Sequence, residues 1–236
     1  MRVRKGEESK KKIIDAAEKL FGENGYQATS VQDVLDALSI SKGGFYHYFE
    51  TKMDLLVAVC SRRAEEWYRE GVAYVRAMRS GAVEKLNAAL RLMNTLDRET
   101  PSMLGTLTEL TLSAQDASVR RELRVITLDM LVPLIGEIID LGVRERQFTV
   151  KRAGEVARLI AMLALDVNEE ATRMIATMYD SPDCALNVLE LLSAYRDAIE
   201  TIVNAPYGSM ELFDLGDMIS AIGRVVTNLK GTKRGS

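Results

Sequence analysis

The chain has 236 residues, 47% of them apolar and 28% charged, with a formal net charge of −3. That length carries one or two domains whose core needs no staple, and the two cysteines, Cys60 and Cys184, form no metal or redox motif and read as small buried hydrophobes. No run of about 18 uncharged apolar residues suggests a membrane-spanning helix. The N-terminus lacks the apolar stretch of a signal peptide, so a reducing cytoplasm is the expected compartment, with no cofactor and no metal site.

Charge is unevenly spread. Residues 1–12 hold six cations (Arg2, Arg4, Lys5, Lys10, Lys11, Lys12) against Glu7 and Glu8, a net +4 that leaves −7 on the remainder. A basic arm on an acidic body suits a protein that meets phosphate at one end; a solvated terminus would look the same. A first helix is predicted over residues 9–23, where Ile13, Ile14, Ala17, Leu20 and Phe21 share one face and Asn24-Gly25 supplies the stop. Thr29-Ser30-Val31-Gln32 reads as a capping box, with Thr29 as the cap and Gln32 reaching back. It opens a second helix to about residue 37 that buries Val31, Val34 and Leu35.

After the turn Leu38-Ser39-Ile40, Ser41 is placed as the N-cap of a third helix over residues 42–48. Thr51-Lys52-Met53-Asp54 starts a long fourth helix to about residue 79. Three short helices with a tight turn before the third form a helix-turn-helix unit, and the third is the element placed to read DNA. Its sequence fits that role: Ser41-Lys42-Gly43-Gly44-Phe45-Tyr46-His47-Tyr48-Phe49 combines a cation, two glycines and four aromatic rings in five residues. Helix N-termini present unpaired N–H groups and a positive dipole end, which suit phosphate. Gly43 and Gly44 lower helix stability by roughly 1 kcal/mol each relative to Ala. Either they let the backbone approach base edges, or they relieve crowding against the second helix. Phe45 and Phe49 point inward; Tyr46, His47 and Tyr48 keep polar tips for phosphate oxygens. His47 is the single histidine, too few for a histidine metal site.

Asn24-Gly25-Tyr26-Gln27-Ala28-Thr29-Ser30 together with Ser41 through Leu55 resembles the DNA-binding domain of the TetR/AcrR family of bacterial transcriptional regulators. The likeness covers about residues 9–57. It implies that Lys42, Gly43 and Gly44 lie against base edges, and that Thr29, Ser30, Ser41, Tyr46, His47, Tyr48 and Lys52 hold the DNA backbone. The family pattern often ends in aromatic-x-His-Phe, whereas here Tyr48 precedes Phe49 and the histidine falls one place earlier.

The remaining chain reads as helices near residues 82–96, 102–114, 117–142, 152–178, 183–203 and 210–229. The fold expected is therefore all-α: a helix-turn-helix domain with its basic arm over residues 1–52, then a larger helical domain over 53–236. The resemblance makes that second domain a dimerisation and small-molecule domain. Helix 152–178 carries Val156, Leu159, Ile160, Leu163, Val167, Ala171, Met174 and Ile175 on one face. Helix 183–203 does the same with Leu186, Leu189, Leu192, Tyr195, Ile199 and Ile202, and the pair suits a four-helix dimer bundle. Trp67, Met93, Met103, Leu107, Met130, Leu134 and Met162 are candidates for an adaptable apolar pocket, although methionine at helical spacing is also plain core. Asp166 and Asn168 interrupt an apolar run and either read a polar group of a ligand or face water. Helix 210–229 would extend the interface or cover the pocket.

The function expected is a homodimeric DNA-binding regulator, a repressor by family default. It would be released from a palindromic double-stranded operator by a small, largely apolar inducer, with no membrane partner. The alternative is a helical small-molecule-binding or scaffold protein without DNA binding. An enzyme is disfavoured, because the chain shows no Gly-rich phosphate loop after a strand and no nucleophile elbow.

Overall fold

Cation-rich sequence without proline winds into helix more readily than the arm's charge suggests. In the computed structural model, which describes residues 2–93, 117–176 and 184–212, the first helix α1 is already formed at Arg2 and runs Arg2–Asn24. The arm expected ahead of residue 9 is thus part of α1. Gly25 ends the helix at φ 83°, a conformation suited to glycine, and its N–H donates to the Phe21 carbonyl at 3.0 Å.

α2 spans Val31–Leu38, and its cap differs from the one expected. Ser30, not Thr29, is the N-cap. Its Oγ accepts from the Asp33 N–H, and the Asp33 carboxylate accepts from the Ser30 N–H at 2.7 Å. Gln32 instead donates to Asp36 at 2.7 Å. α3 covers Lys42–Tyr46, two residues shorter than expected, and Ser41 caps it by accepting from the Gly44 N–H at 3.2 Å. α4 runs Lys52–Ala77 behind a complete Thr51–Asp54 capping box.

α5 is Ala82–Arg91, α6 Ala117–Arg144, α7 Ala153–Ala176 and α8 Cys184–Val203. Among the described residues there is no strand, and no helix is long and apolar enough to cross a membrane. The helix expected over 102–114 lies outside the described residues, as does nearly all of 210–229; residues 210–212 are not helical.

Two apolar cores divide the helices. Ile13, Ala17, Phe21, Val34, Leu35, Phe45 and Phe49 pack with Leu55, Leu56, Val59 and Cys60 at the start of α4, and Val119 of α6 joins them. This is the head. The body core gathers Ala64, Tyr68, Val72 and Val75 of α4 with the buried faces of α5 to α8. α4 therefore belongs to both. Arg62 pairs with Asp15 and Glu18, and Arg63 with Glu18, which fastens α4 to α1.

Beyond α8 the chain turns back over the body as a strap. Buried Glu200 accepts from the N–H groups of Gly208 and Met210 at 3.0 and 2.9 Å. Asn87 and Arg91 of α5 hold Ser209 and Glu211, and Met210 and Leu212 are buried.

Candidate nucleic-acid interface

Local capping chemistry assembles the head's exposed edge. Ser30, Ser41 and Thr51 each stand in extended backbone ahead of a helix and each accept from an N–H of the first turn. Remaining N–H groups at those ends carry the positive end of the helix dipole. Hydrogen bonds from the Ser30 backbone, then from its hydroxyl, hold the Asp33 carboxyl below its ordinary value.

Gly43 and Gly44 have no intramolecular reason to be glycine. A Cβ built on Gly43 would meet only Ser41 Oγ at 4.0 Å, and one on Gly44 the same atom at 3.6 Å. Both are ordinary or looser contacts, so crowding against α2 does not explain the pair. Beneath them Phe45 and Phe49 are buried, with ring centroids 5.8 Å apart, and fix α3 to the head. Outward, Lys42, Tyr46 and His47 are exposed and Tyr48 is half-buried. The His47 and Tyr48 rings meet edge to face at 4.8 Å, which limits their rotation.

Lys52 is more than a surface cation. Its Nζ lies 4.2 Å from the Tyr26 ring centroid and donates to the Gln27 carbonyl at 3.4 Å. Burial pulls its pKa down, and Asp33 opposes that shift. The lysine thus braces the α1–α2 turn as well as facing outward. Sequence reading missed this role, although Tyr26 was in view, because a contact across 26 positions has no local signature.

Thr29 stands apart from the other residues expected here. It is 1% exposed, and its hydroxyl lies 2.8 Å from the Gly25 carbonyl and 3.2 Å from that of Leu20. It therefore seals the α1–α2 turn from inside.

The residues expected to line a pocket do not form one set. Met93 and Leu134 are buried in the body core and Met130 is half-buried. Trp67 and Met162 are 41% and 38% exposed. Asp166 is exposed and paired with Arg124 at 2.7 Å, whereas Asn168 is buried and bonds to the carbonyl of Met93. Met103 and Leu107 lie outside the described residues. Sequence reading did not find the buried bond at 2.9 Å between Thr127 of α6 and Tyr68 of α4. Among the described residues no cluster of His, Cys, Asp and Glu could hold a metal ion.

Residues 13–59 match the family model of bacterial regulatory proteins, tetR family. An uncharacterised HTH-type regulator from the lacX 3′ region of Lactococcus lactis is 38% identical over 61 residues, which are 26% of this chain and 31% of that protein. Bacillus subtilis YuxN is 48% identical over 52 residues, 22% of this chain and 18% of its own. The chain thus spans less than a third of the length of either relative. The crystal structure of a TetR-family regulator from Pectobacterium atrosepticum has a TM-score of 0.55 at 19% identity, covering 86% of this chain and 98% of that one. RolR in complex with resorcinol gives 0.58 at 16% identity, covering 94% and 95%. The fold is common to all three chains.

Proposed function

Because the chain belongs to the tetR family of bacterial regulatory proteins, we propose that it is a homodimeric DNA-binding transcriptional regulator. On this reading it is a repressor released from a palindromic operator by a small, largely apolar ligand. The observation that carries the DNA-binding part is the glycine pair at the capped start of α3. Two helix-weakening residues stand where an added Cβ would meet nothing nearer than Ser41 Oγ at 3.6 Å, and close approach of an external surface supplies the missing reason. Ser41 and Lys42 beside them offer a hydroxyl and a cation for phosphate and base edges.

Dimerisation is supported by the outer faces of α7 and α8. Leu159 and Met162 of α7 are 59% and 38% exposed, and Leu186 of α8 is 59% exposed. The sequence grouped Leu159 and Leu186 with buried neighbours, yet they point away from this chain's own core. A second copy would bury them in a two-fold bundle. That dimer sets two copies of α3 one or more DNA turns apart.

The neighbour RolR is solved with resorcinol, and by analogy a small molecule in the body acts as the signal. Coupling would run through α4 and α6. Val119 and Leu123 at the start of α6 pack on the head, and Thr127 one turn on is bonded to Tyr68 of α4. A ligand that favours one seating of these helices shifts the population of DNA-competent dimers.

Selection from random duplex DNA, followed by binding at several salt concentrations, tests the reading. A palindrome with strong salt dependence is expected. Absence of sequence enrichment, with weak salt-insensitive binding, rejects it. Release of the selected DNA by resorcinol and related small molecules tests the ligand arm separately.

A further inference from the structure

Asn168, in the middle of α7, is 8% exposed and only half of its side chain is used. Nδ2 donates to the Ala164 carbonyl one turn back at 2.9 Å and to the Met93 carbonyl beyond the end of α5 at 3.3 Å. Two acceptors on one side decide which end of the carboxamide is the NH2 group. Oδ1 therefore faces the other way, buried and with no hydrogen-bond donor among the described residues. Thr172 does not supply one, because its hydroxyl donates to the Asn168 backbone carbonyl at 2.7 Å.

A buried acceptor without a donor is disfavoured in a folded protein and calls for a reason. Its surroundings suggest one. Trp67 of α4 donates Nε1 to the Leu92 carbonyl at 3.3 Å, and Met93, the next residue, accepts from Asn168. Tyr68, beside Trp67, meets Thr127 of α6. Polar groups of α4, α6 and α7, with the carbonyls that follow α5, are thus set within an otherwise apolar body, and a few placed polar groups in an apolar setting are the composition of a small-molecule site.

We infer that Asn168 Oδ1 is the acceptor that selects the effector, which is an apolar molecule bearing a hydroxyl or amino donor and not a bare carboxylate. This rests on the ligand-responsive reading above. A donor completes the open valence of Oδ1. A carboxylate brings only lone pairs against it, and a methyl ether brings none of the needed hydrogen. Sites built around one hydrogen bond discriminate strongly against analogues that lack it.

The test uses the full-length protein, with the fluorescence of Trp67, the single tryptophan, and thermal shift as readouts. The probes are para-butylphenol and its methyl ether, para-butylanisole. The phenol is expected to bind about tenfold or more tighter than the ether. In Asn168→Leu that ratio falls to about one. In Asn168→Asp, which keeps an acceptor in the same place, the preference for the phenol persists. Equal affinity of the wild type for both probes, or a preference that survives Asn168→Leu, overturns the assignment while leaving the ligand reading in place. Loss of the preference in Asn168→Asp as well also overturns it, since the acceptor is then not what matters. Failure of both probes to bind overturns the proposed effector class, and the DNA-release experiment then decides the ligand reading by itself.

Discussion

Gly44 shows how one residue can serve two opposed demands. Its missing side chain weakens α3, yet an added Cβ would make only an ordinary contact, with Ser41 Oγ at 3.6 Å. Gly44→Ala should raise thermal stability by about 0.5–1 kcal/mol, because alanine removes backbone freedom from the unfolded chain. The same change should weaken operator binding by about tenfold if DNA lies against the backbone there. Melting curves and anisotropy titrations read the two effects, and unchanged DNA affinity would remove the close-approach argument. Cys60 carries a prediction of the opposite kind. Burial pushes its thiol up to about 12, so Cys60 in the folded protein should resist alkylation at about pH 8, read at that residue by peptide mapping, and unfolding should expose it to the reagent. Sequence reading identified Cys60 as a buried hydrophobe from its apolar helical setting alone. It named Thr29 as the cap, one residue too early. Two hydroxyls stand side by side there, and the choice falls on Ser30 because Thr29 is held by the Leu20 carbonyl nine positions away.

At the scale of elements, the head is built from boxes that close locally, which is why most of it was legible. The Thr51–Asp54 box was read directly from its four residues, and both of its hydrogen bonds form. Thr51→Ala should destabilise the protein by about 1 kcal/mol, seen in denaturant titration as a lower midpoint with an unchanged slope. The Ser30–Asp33 box adds a pH dependence. Asp33 has a depressed pKa in the folded state. Its contribution is present above the ordinary carboxylate value and is lost as pH falls through the depressed one. Hydrogen exchange at the first amides of α2 should therefore report more frequent opening in acid than at neutral pH, after correction for the intrinsic exchange rate. Helix lengths were less legible than helix positions. α1 continues to Arg2 because propensity favours helix through the charged arm, and α3 stops at Tyr46 after a first turn holding two glycines.

For the whole molecule, the body was legible as a series of amphipathic helices but not as a packing. Periodicity places Leu159 on an apolar stripe with Ile160 and Leu163; it does not say that Ile160 is buried in this chain while Leu159 is 59% exposed. That difference depends on which helix lies opposite. The double substitution Leu159→Glu and Leu186→Glu should leave the fold intact, since both side chains are exposed, and should give a monomer in sedimentation with much weaker operator binding. A dimer that survives would place the interface elsewhere. Asn168 was singled out as an interruption of an apolar run, but its bond to the Met93 carbonyl and the Thr127–Tyr68 bond were invisible in sequence, because each joins segments far apart in the chain.

One wall of the head's core is supplied from α6, where Val119 is 1% exposed among the apolar side chains of α1 to α4. Translation delivers that wall late. When α4 leaves the ribosome, the four helices that carry the DNA-facing edge still lack the side chain that closes their interior, and it arrives only after about half of the chain has been made. A nascent head should accordingly stay loosely packed and weak on DNA until α6 is synthesised and docks.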